Sequence, residues 1–190
     1  MKGKIILVTG GARSGKSRFA ERLVAALGTR VAYIATAQVL DAEMAARVDI
    51  HRGRRPEDWL TFEAPFEAAE VLGEALTKAK AVLFDCLTVY TSNLMLSPDA
   101  PTTAEGRCRF VREQIDELLQ SAQGQQATVV FVTNEVGMGI VPDNALAREF
   151  RDLAGLVNQQ VAAAADEVYL TISGLAVEIK KIATTIDEEV

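Results

Sequence analysis

The sequence predicts an α/β protein: a mostly parallel sheet of about six or seven strands with helices on both faces, built as one domain over residues 1–190. Three observations predict it. Short apolar runs of strand length alternate with segments that carry apolar residues at helical spacing. The chain is long enough for one well-buried domain and too short for two of full size. Near the amino terminus, Gly10-Gly11-Ala12-Arg13-Ser14-Gly15-Lys16-Ser17 fits the phosphate-binding pattern of Gly, any four residues, Gly, Lys and Ser or Thr.

Taken in order, Lys4 to Thr9 reads as a buried strand, and Ala20, Leu23, Val24 and Leu27 mark a helix that ends at Gly28-Thr29. A glycine-rich stretch between strand and helix also serves as a plain turn. The flanking elements favour a phosphate loop, because they place its backbone N–H groups and the positive end of the helix dipole together. Lys16 would reach the β- and γ-phosphates and the Ser17 hydroxyl would bind Mg²⁺.

Arg30 to Ala35 is a second buried strand, ending at Thr36. From Asp41 a helical segment spaces Leu40, Met44 and Val48, then breaks at His51-Arg52-Gly53-Arg54-Arg55-Pro56, where glycine and proline forbid continuation. Trp59 to Ala64 reads as a short strand, and Pro65 starts a helix with Phe66, Ala69, Leu72 and Leu76 on one face. Ala81 to Asp85 is a buried strand ending in an acid. A carboxylate there suits the metal half of a phosphate-loop site, while a helix N-cap is the bland alternative.

Tyr90 to Leu96 reads as helical and Ser97 to Thr103 as a surface loop. Val111, Ile115, Leu118 and Ala122 share a face of a longer helix, and Ala127 to Thr133 is another strand. The loop Asn134 to Pro142 follows at the edge where parallel sheets bind ligands; it is either a shaped surface for a ligand or subunit, or an ordinary connector. Leu146, Phe150, Leu153, Val157 and Val161 mark a long helix capped by Asp143 or Asn144. Glu167 to Ser173 is a strand, and Val177 to Lys180 reads as a further one.

Composition narrows the function. With 49% apolar and 24% charged residues, the chain has the balance of a soluble globular domain. Twenty Lys and Arg against 26 Asp and Glu give a net charge of −6, so no nucleic-acid partner is expected. The apolar runs are far short of a membrane span and the amino terminus shows no signal-peptide pattern, so the expected location is the cytoplasm. Cys86 and Cys108 have no metal or redox spacing and read as packing thiols.

His51 is the only histidine, and Arg52, Arg54 and Arg55 follow it. It continues the face of Met44 and Val48, so a structural role is open, and arginine clusters are often solvated. The combination also suits phosphate chemistry: a neutral imidazole is a nucleophile, and guanidinium forks stabilise charge on an attacked phosphate.

The stretches Gly10 to Ser17, Ala46-Arg47-Val48-Asp49-Ile50-His51-Arg52 and Thr133 to Pro142 resemble the bifunctional adenosylcobinamide kinase/adenosylcobinamide-phosphate guanylyltransferase of cobalamin biosynthesis. Arg151 to Gly155, Asn158-Gln159 and Ala162 to Val168 extend the resemblance over nearly the whole chain; it is weakest between Leu96 and Gln125. It implies a P-loop NTPase fold with RecA-like strand order and a homotrimer. ATP or GTP with Mg²⁺ would phosphorylate the aminopropanol hydroxyl of adenosylcobinamide. His51 would then take GMP from GTP and pass it to adenosylcobinamide phosphate.

The catalytic pair so implied is His51 and Lys16. Nucleotide contacts would fall on Gly10, Gly11, Ala12, Arg13, Ser14, Gly15, Lys16 and Ser17, on Ile34, Ala35 and Thr36, on Arg52, Gly53, Arg54 and Arg55, and on Glu63 and Asp85. Ser17 and Asp85 would be the metal ligands. Ile50 stands where some relatives have a second histidine. Two other classes stay in view: a one-step small-molecule kinase with a structural His51, and a GTP-dependent switch. The switch is disfavoured because no Asn-Lys-x-Asp loop is present.

Overall fold

The computed structural model describes residues 3–27, 30–39, 52–53 and 55–184. Its strands are β1 (Ile5–Thr9), β2 (Val31–Ala35), β3 (Leu60–Glu63), β4 (Ala81–Asp85), β5 (Thr128–Val132), β6 (Glu167–Ile172) and β7 (Leu175–Glu178). The helices are α1 (Lys16–Ala26), α2 (Ala68–Lys78), α3 (Leu87–Met95), α4 (Ala104–Ala122) and α5 (Ala145–Ala164), with a short 3₁₀ turn at Ile179–Lys181. All seven strands join one sheet in the order β3-β2-β4-β5-β1-β6-β7. Only β7 runs antiparallel to its neighbour.

The central strands are apolar throughout because each buries both faces. In β1, Ile5 and Leu7 enter a core with α2, α3, α4 and α5, while Ile6 and Val8 enter a second core with Ala20 and Val24 of α1. The larger core centres on Phe84, whose ring meets Tyr90 edge-on at 5.7 Å and Phe131 at 5.4 Å. Tyr90 also accepts a hydrogen bond through its hydroxyl from the Ala68 N–H, satisfying a first-turn donor of α2.

Sequence periodicity locates the strands closely and misplaces some helix ends. The helix expected from Pro65 begins at Ala68, because Glu67 takes a left-handed conformation at φ 50°. Its buried face is Ala68, Leu72 and Ala75; Ala69 is only half-buried. Helix α3 starts at Leu87, a turn before the expected Tyr90. In α5, Asn144 is the cap, accepting from the Ala147 N–H at 2.7 Å. Leu146, on the apolar spacing that marks this helix, is 50% exposed. A 20-residue helix is about 30 Å long and a five-residue strand about 17 Å, so the first turns of α5 overhang the sheet. The expected last strand is shifted to Leu175–Glu178, since Ser173 and Gly174 turn the chain at φ 52° and 83° directly after β6. Both cysteines are free thiols. The ends Gly28-Thr29 and the segment with Leu40, Met44 and Val48 lie outside the described residues.

Phe84→Ala should cost about 3–5 kcal/mol, since it empties the centre of the larger core. Urea unfolding followed by circular dichroism measures this. Ile182→Ser, at a side chain 71% exposed, should leave the transition where it is.

Candidate active site

Registration across the sheet builds one edge. Ala35 pairs with Glu63 on one side and with Asp85 on the other, Asp85 pairs with Val132, and Val132 pairs with Val8. The carboxyl ends of β3, β2, β4, β5 and β1 therefore form a row, and the loop Gly10 to Ser17 leaves from its β1 end. Parallel sheets bind ligands along this edge because helix amino termini collect there.

The loop is held open by close backbone packing. A Cβ on Gly10 would lie 2.5 Å from the Thr171 carbonyl oxygen, and one on Gly15, at φ 96°, would lie 3.1 Å from the Gly174 Cα. Ser14 is clamped from outside the loop: its hydroxyl donates to Thr171 Oγ1 at 2.8 Å, Thr171 donates onward to the Thr9 carbonyl, and the Gly174 N–H donates to the Ser14 carbonyl at 2.8 Å. Thr103 and Asn144 cap α4 and α5 with side chains, whereas α1 has Gly15 at its N-cap and no side-chain cap. The first-turn N–H groups of α1 are thus left to a ligand. Lys16, buried at 8% exposure, donates through Nζ to the Gly11 carbonyl at 3.1 Å. Burial holds its ammonium below the ordinary lysine pKa, against the pull of Cys86 and Asp85.

Asp85 ends β4 and does not cap α3, whose N-cap position is Cys86. It accepts a hydrogen bond from the Tyr33 hydroxyl at 2.8 Å. Burial and this carboxylate push the neighbouring Cys86 thiol up to about 12, so it stays protonated. The half-buried Ser17 hydroxyl and the Asp85 carboxylate are hard oxygen donors of the type Mg²⁺ prefers. Among the described residues no group of three or more His, Cys, Asp or Glu could hold a metal alone. Two protein oxygens completed by phosphates fit that donor set.

Of the other expected contacts, Thr36 is fully buried, and its Oγ1 accepts from the Cys86 N–H at 2.8 Å and donates to the Cys86 carbonyl at 3.0 Å. The Ile34 side chain lies in the larger core, so only its main chain is available to the edge. Arg52 is exposed and lies 4.0 Å from the Glu63 carboxylate. Glu63, indistinct in sequence, is therefore brought beside the arginine segment. Arg55 stacks over the Tyr33 ring, with its guanidinium carbon 3.8 Å from the centroid. His51 and Arg54 lie outside the described residues. A groove of about 580 Å³, lined by Arg18, Glu21, Arg22, Arg55, Pro56 and Trp59, runs between α1 and the turn after the arginines.

A second polar set supports the loop Asn134 to Pro142. The Asn134 N–H donates to Thr88 Oγ1 at 2.7 Å, Thr88 donates to Thr133 Oγ1, Thr133 donates to Asn158 Oδ1 at 2.7 Å, and Asn158 Nδ2 returns to the Asn134 carbonyl at 3.2 Å. The ring closes with both threonine hydroxyls donating. Next in the chain, the Glu135 N–H donates to the Gly10 carbonyl at 3.1 Å, so the loop is tied to the phosphate-loop glycine. Sequence reasoning missed Tyr33, Thr88 and Thr171. The available signal was a lone polar group inside or just after an apolar strand, which burial makes costly unless it is bonded.

A parallel α/β sheet carrying this loop at its edge defines a P-loop nucleotide-binding protein of RecA-like fold. A type III secretion system ATPase from pathogenic bacteria superposes with a TM-score of 0.60 at 12% identity, covering 98% of this chain and 60% of that one. The match of residues 6–179 to the cobinamide kinase / cobinamide phosphate guanyltransferase family shows that the chain belongs to it. The bifunctional adenosylcobalamin biosynthesis protein CobU of Escherichia coli strain K12 is 48% identical, over 93% of this chain and 99% of its own. CobP of Pseudomonas aeruginosa, described in the same words, is 42% identical over 92% and 96%.

The lowered pKa of Lys16 has a sign. The native state gives up that proton before the unfolded chain does, so the empty protein gains stability as pH rises through the lowered value toward the unfolded 10.5. Lys16→Met should remove this alkaline gain, leave the empty protein at least as stable at neutral pH, and abolish the rise in Tm on adding nucleotide. Scanning calorimetry from neutral pH to about pH 10, with and without GTP, reads all three. Thr133→Val opens the hydrogen-bonded ring and should cost about 1–3 kcal/mol in the same instrument.

Proposed function

We propose that this protein carries out both reactions of its family on one substrate. In the first, the terminal hydroxyl of the aminopropanol arm of adenosylcobinamide takes the γ-phosphoryl group of ATP or GTP. The backbone N–H groups from Gly10 to Ser17 hold the triphosphate, and Lys16 offsets charge on the transferred group. Ser17 and Asp85 would hold Mg²⁺, which neutralises phosphate charge when bound.

In the second, the His51 imidazole attacks the α-phosphate of GTP; the P–N bond forms as the bond to pyrophosphate breaks. A phosphate oxygen of adenosylcobinamide phosphate then displaces the imidazole, giving adenosyl-GDP-cobinamide and restoring the histidine. This replaces one transfer between two bulky anions with two displacements, each with a placed nucleophile. Arg52, Gly53, Arg54 and Arg55 border the transferred guanylyl group, with Glu63 holding Arg52.

One observation carries the reading: the Arg52–Glu63 pair, from the segment that directly follows His51, meets the sheet on the same edge as the phosphate loop. The exposure of Met138, Ile140 and Val141 in the loop tied to Gly10 supports a homotrimer contact there. No described helix is long and apolar enough to cross a membrane, which suits the cytoplasmic location proposed.

Incubation with α-labelled GTP should leave acid-labile, base-stable label on the protein, and His51→Ala should abolish the label while retaining phosphorylation of adenosylcobinamide. A wild-type protein that transfers phosphate from GTP yet never acquires label would reduce the reading to a one-step kinase with a structural histidine.

A further inference from the structure

Tyr33 sits in β2 on the α1 side of the sheet, opposite Thr61 of β3 and Leu83 of β4. It is 4% exposed, and both of its chemical ends are engaged. The Arg55 guanidinium lies over its ring at 3.8 Å and reaches sideways to donate to Thr61 Oγ1 at 3.3 Å. The Tyr33 hydroxyl donates to Asp85 Oδ2 at 2.8 Å. Arginine stacks on an aromatic face through its weakly hydrated planar cation, and a hydrogen bond to a carboxylate fixes the rotamer of that carboxylate. Hydrogen bonds from Arg55 N–H to the Arg52 carbonyl and from Trp59 N–H to the Pro56 carbonyl close the turn above the ring.

We infer that Tyr33 is a positioning residue that joins the arginine segment after His51 to Asp85: its ring is the platform for Arg55 and its hydroxyl orients the carboxylate. The inference rests on the proposed function for what Arg55 and Asp85 meet, the guanylyl phosphate and Mg²⁺. One side chain thereby sets the relative placement of groups serving the two reactions. Phenylalanine at this position would supply only the platform, and an aliphatic residue neither function.

The chain has a single tryptophan, Trp59, which lines the same groove as Arg55 and reports on the turn. Tyr33→Phe should raise by about tenfold the Mg²⁺ concentration that half-saturates GTP binding in calorimetric titration. GTP binding without Mg²⁺ should stay unchanged, excess Mg²⁺ should restore the wild-type affinity, and Trp59 emission should stay in place. Tyr33→Leu should in addition move Trp59 emission of the ligand-free protein to longer wavelength, and Arg55→Ala should add no further loss of GTP affinity in that background. Circular dichroism checks folding; if Tyr33→Leu does not fold, Arg55→Ala alone must produce the emission shift.

A Tyr33→Phe protein that titrates with Mg²⁺ as wild type does, or Trp59 emission unmoved by loss of Arg55, overturns the inference. Failure of the wild type to bind GTP with Mg²⁺ overturns the proposed function and the Asp85 half of the inference with it; the ligand-free emission shift still decides the platform half.

Discussion

The constraint on which the structure turns is electrostatic: an uncapped helix end and a largely desolvated lysine sit together at the rim of a buried sheet. Helix α1 has Gly15 at its N-cap and no side-chain cap, and Lys16 is buried, donating to the Gly11 carbonyl while the Asp85 charge acts on it. Desolvated positive potential of this kind is unfavourable until an anion arrives, so the rest of the fold must hold it in place. Thr171, Gly174 and Glu135 do so from β6, the β6–β7 turn and the loop after β5. The hairpin at the edge of the sheet is therefore a brace for the phosphate loop and not an appendage.

A parallel sheet helps in a second way. Because β1 to β5 are in register at their carboxyl ends, Glu63, Asp85 and the phosphate loop come to one edge without long excursions of the chain. The polar ring of Thr88, Thr133, Asn134 and Asn158 lies just beyond that edge, and each member is satisfied by another. A closed ring of this sort fixes geometry better than an apolar contact of equal area, since a shifted member leaves a buried polar group unbonded.

Much of this was legible in the sequence. The apolar runs gave β1, β2, β4 and β5 within a residue or so, because strands buried on both faces must be apolar at nearly every position; β6, only partly buried, was bounded as closely. Val111, Ile115, Leu118 and Ala122 were read correctly as the buried face of α4. Leu146 was not, since periodicity reports a helix face but not where the neighbouring layer ends. Asp85 was read as a strand-end acid near the loop, whereas Tyr33 looked like one more apolar strand residue. Its hydroxyl partner is 52 residues away and its cation is set by a turn.

The sequence by itself determined the phosphate loop, the strand and helix content and the family, because these depend on residue type at fixed local spacing. Tertiary structure alone decided the strand order, the brace of Thr171 and Gly174 on the loop, and the meeting of Arg55, Tyr33 and Asp85. Ser14 and Thr171 are 157 residues apart in the chain, and no local periodicity encodes such a contact. It exists because β6 pairs with β1 and so brings Thr171 beside the loop that leaves β1.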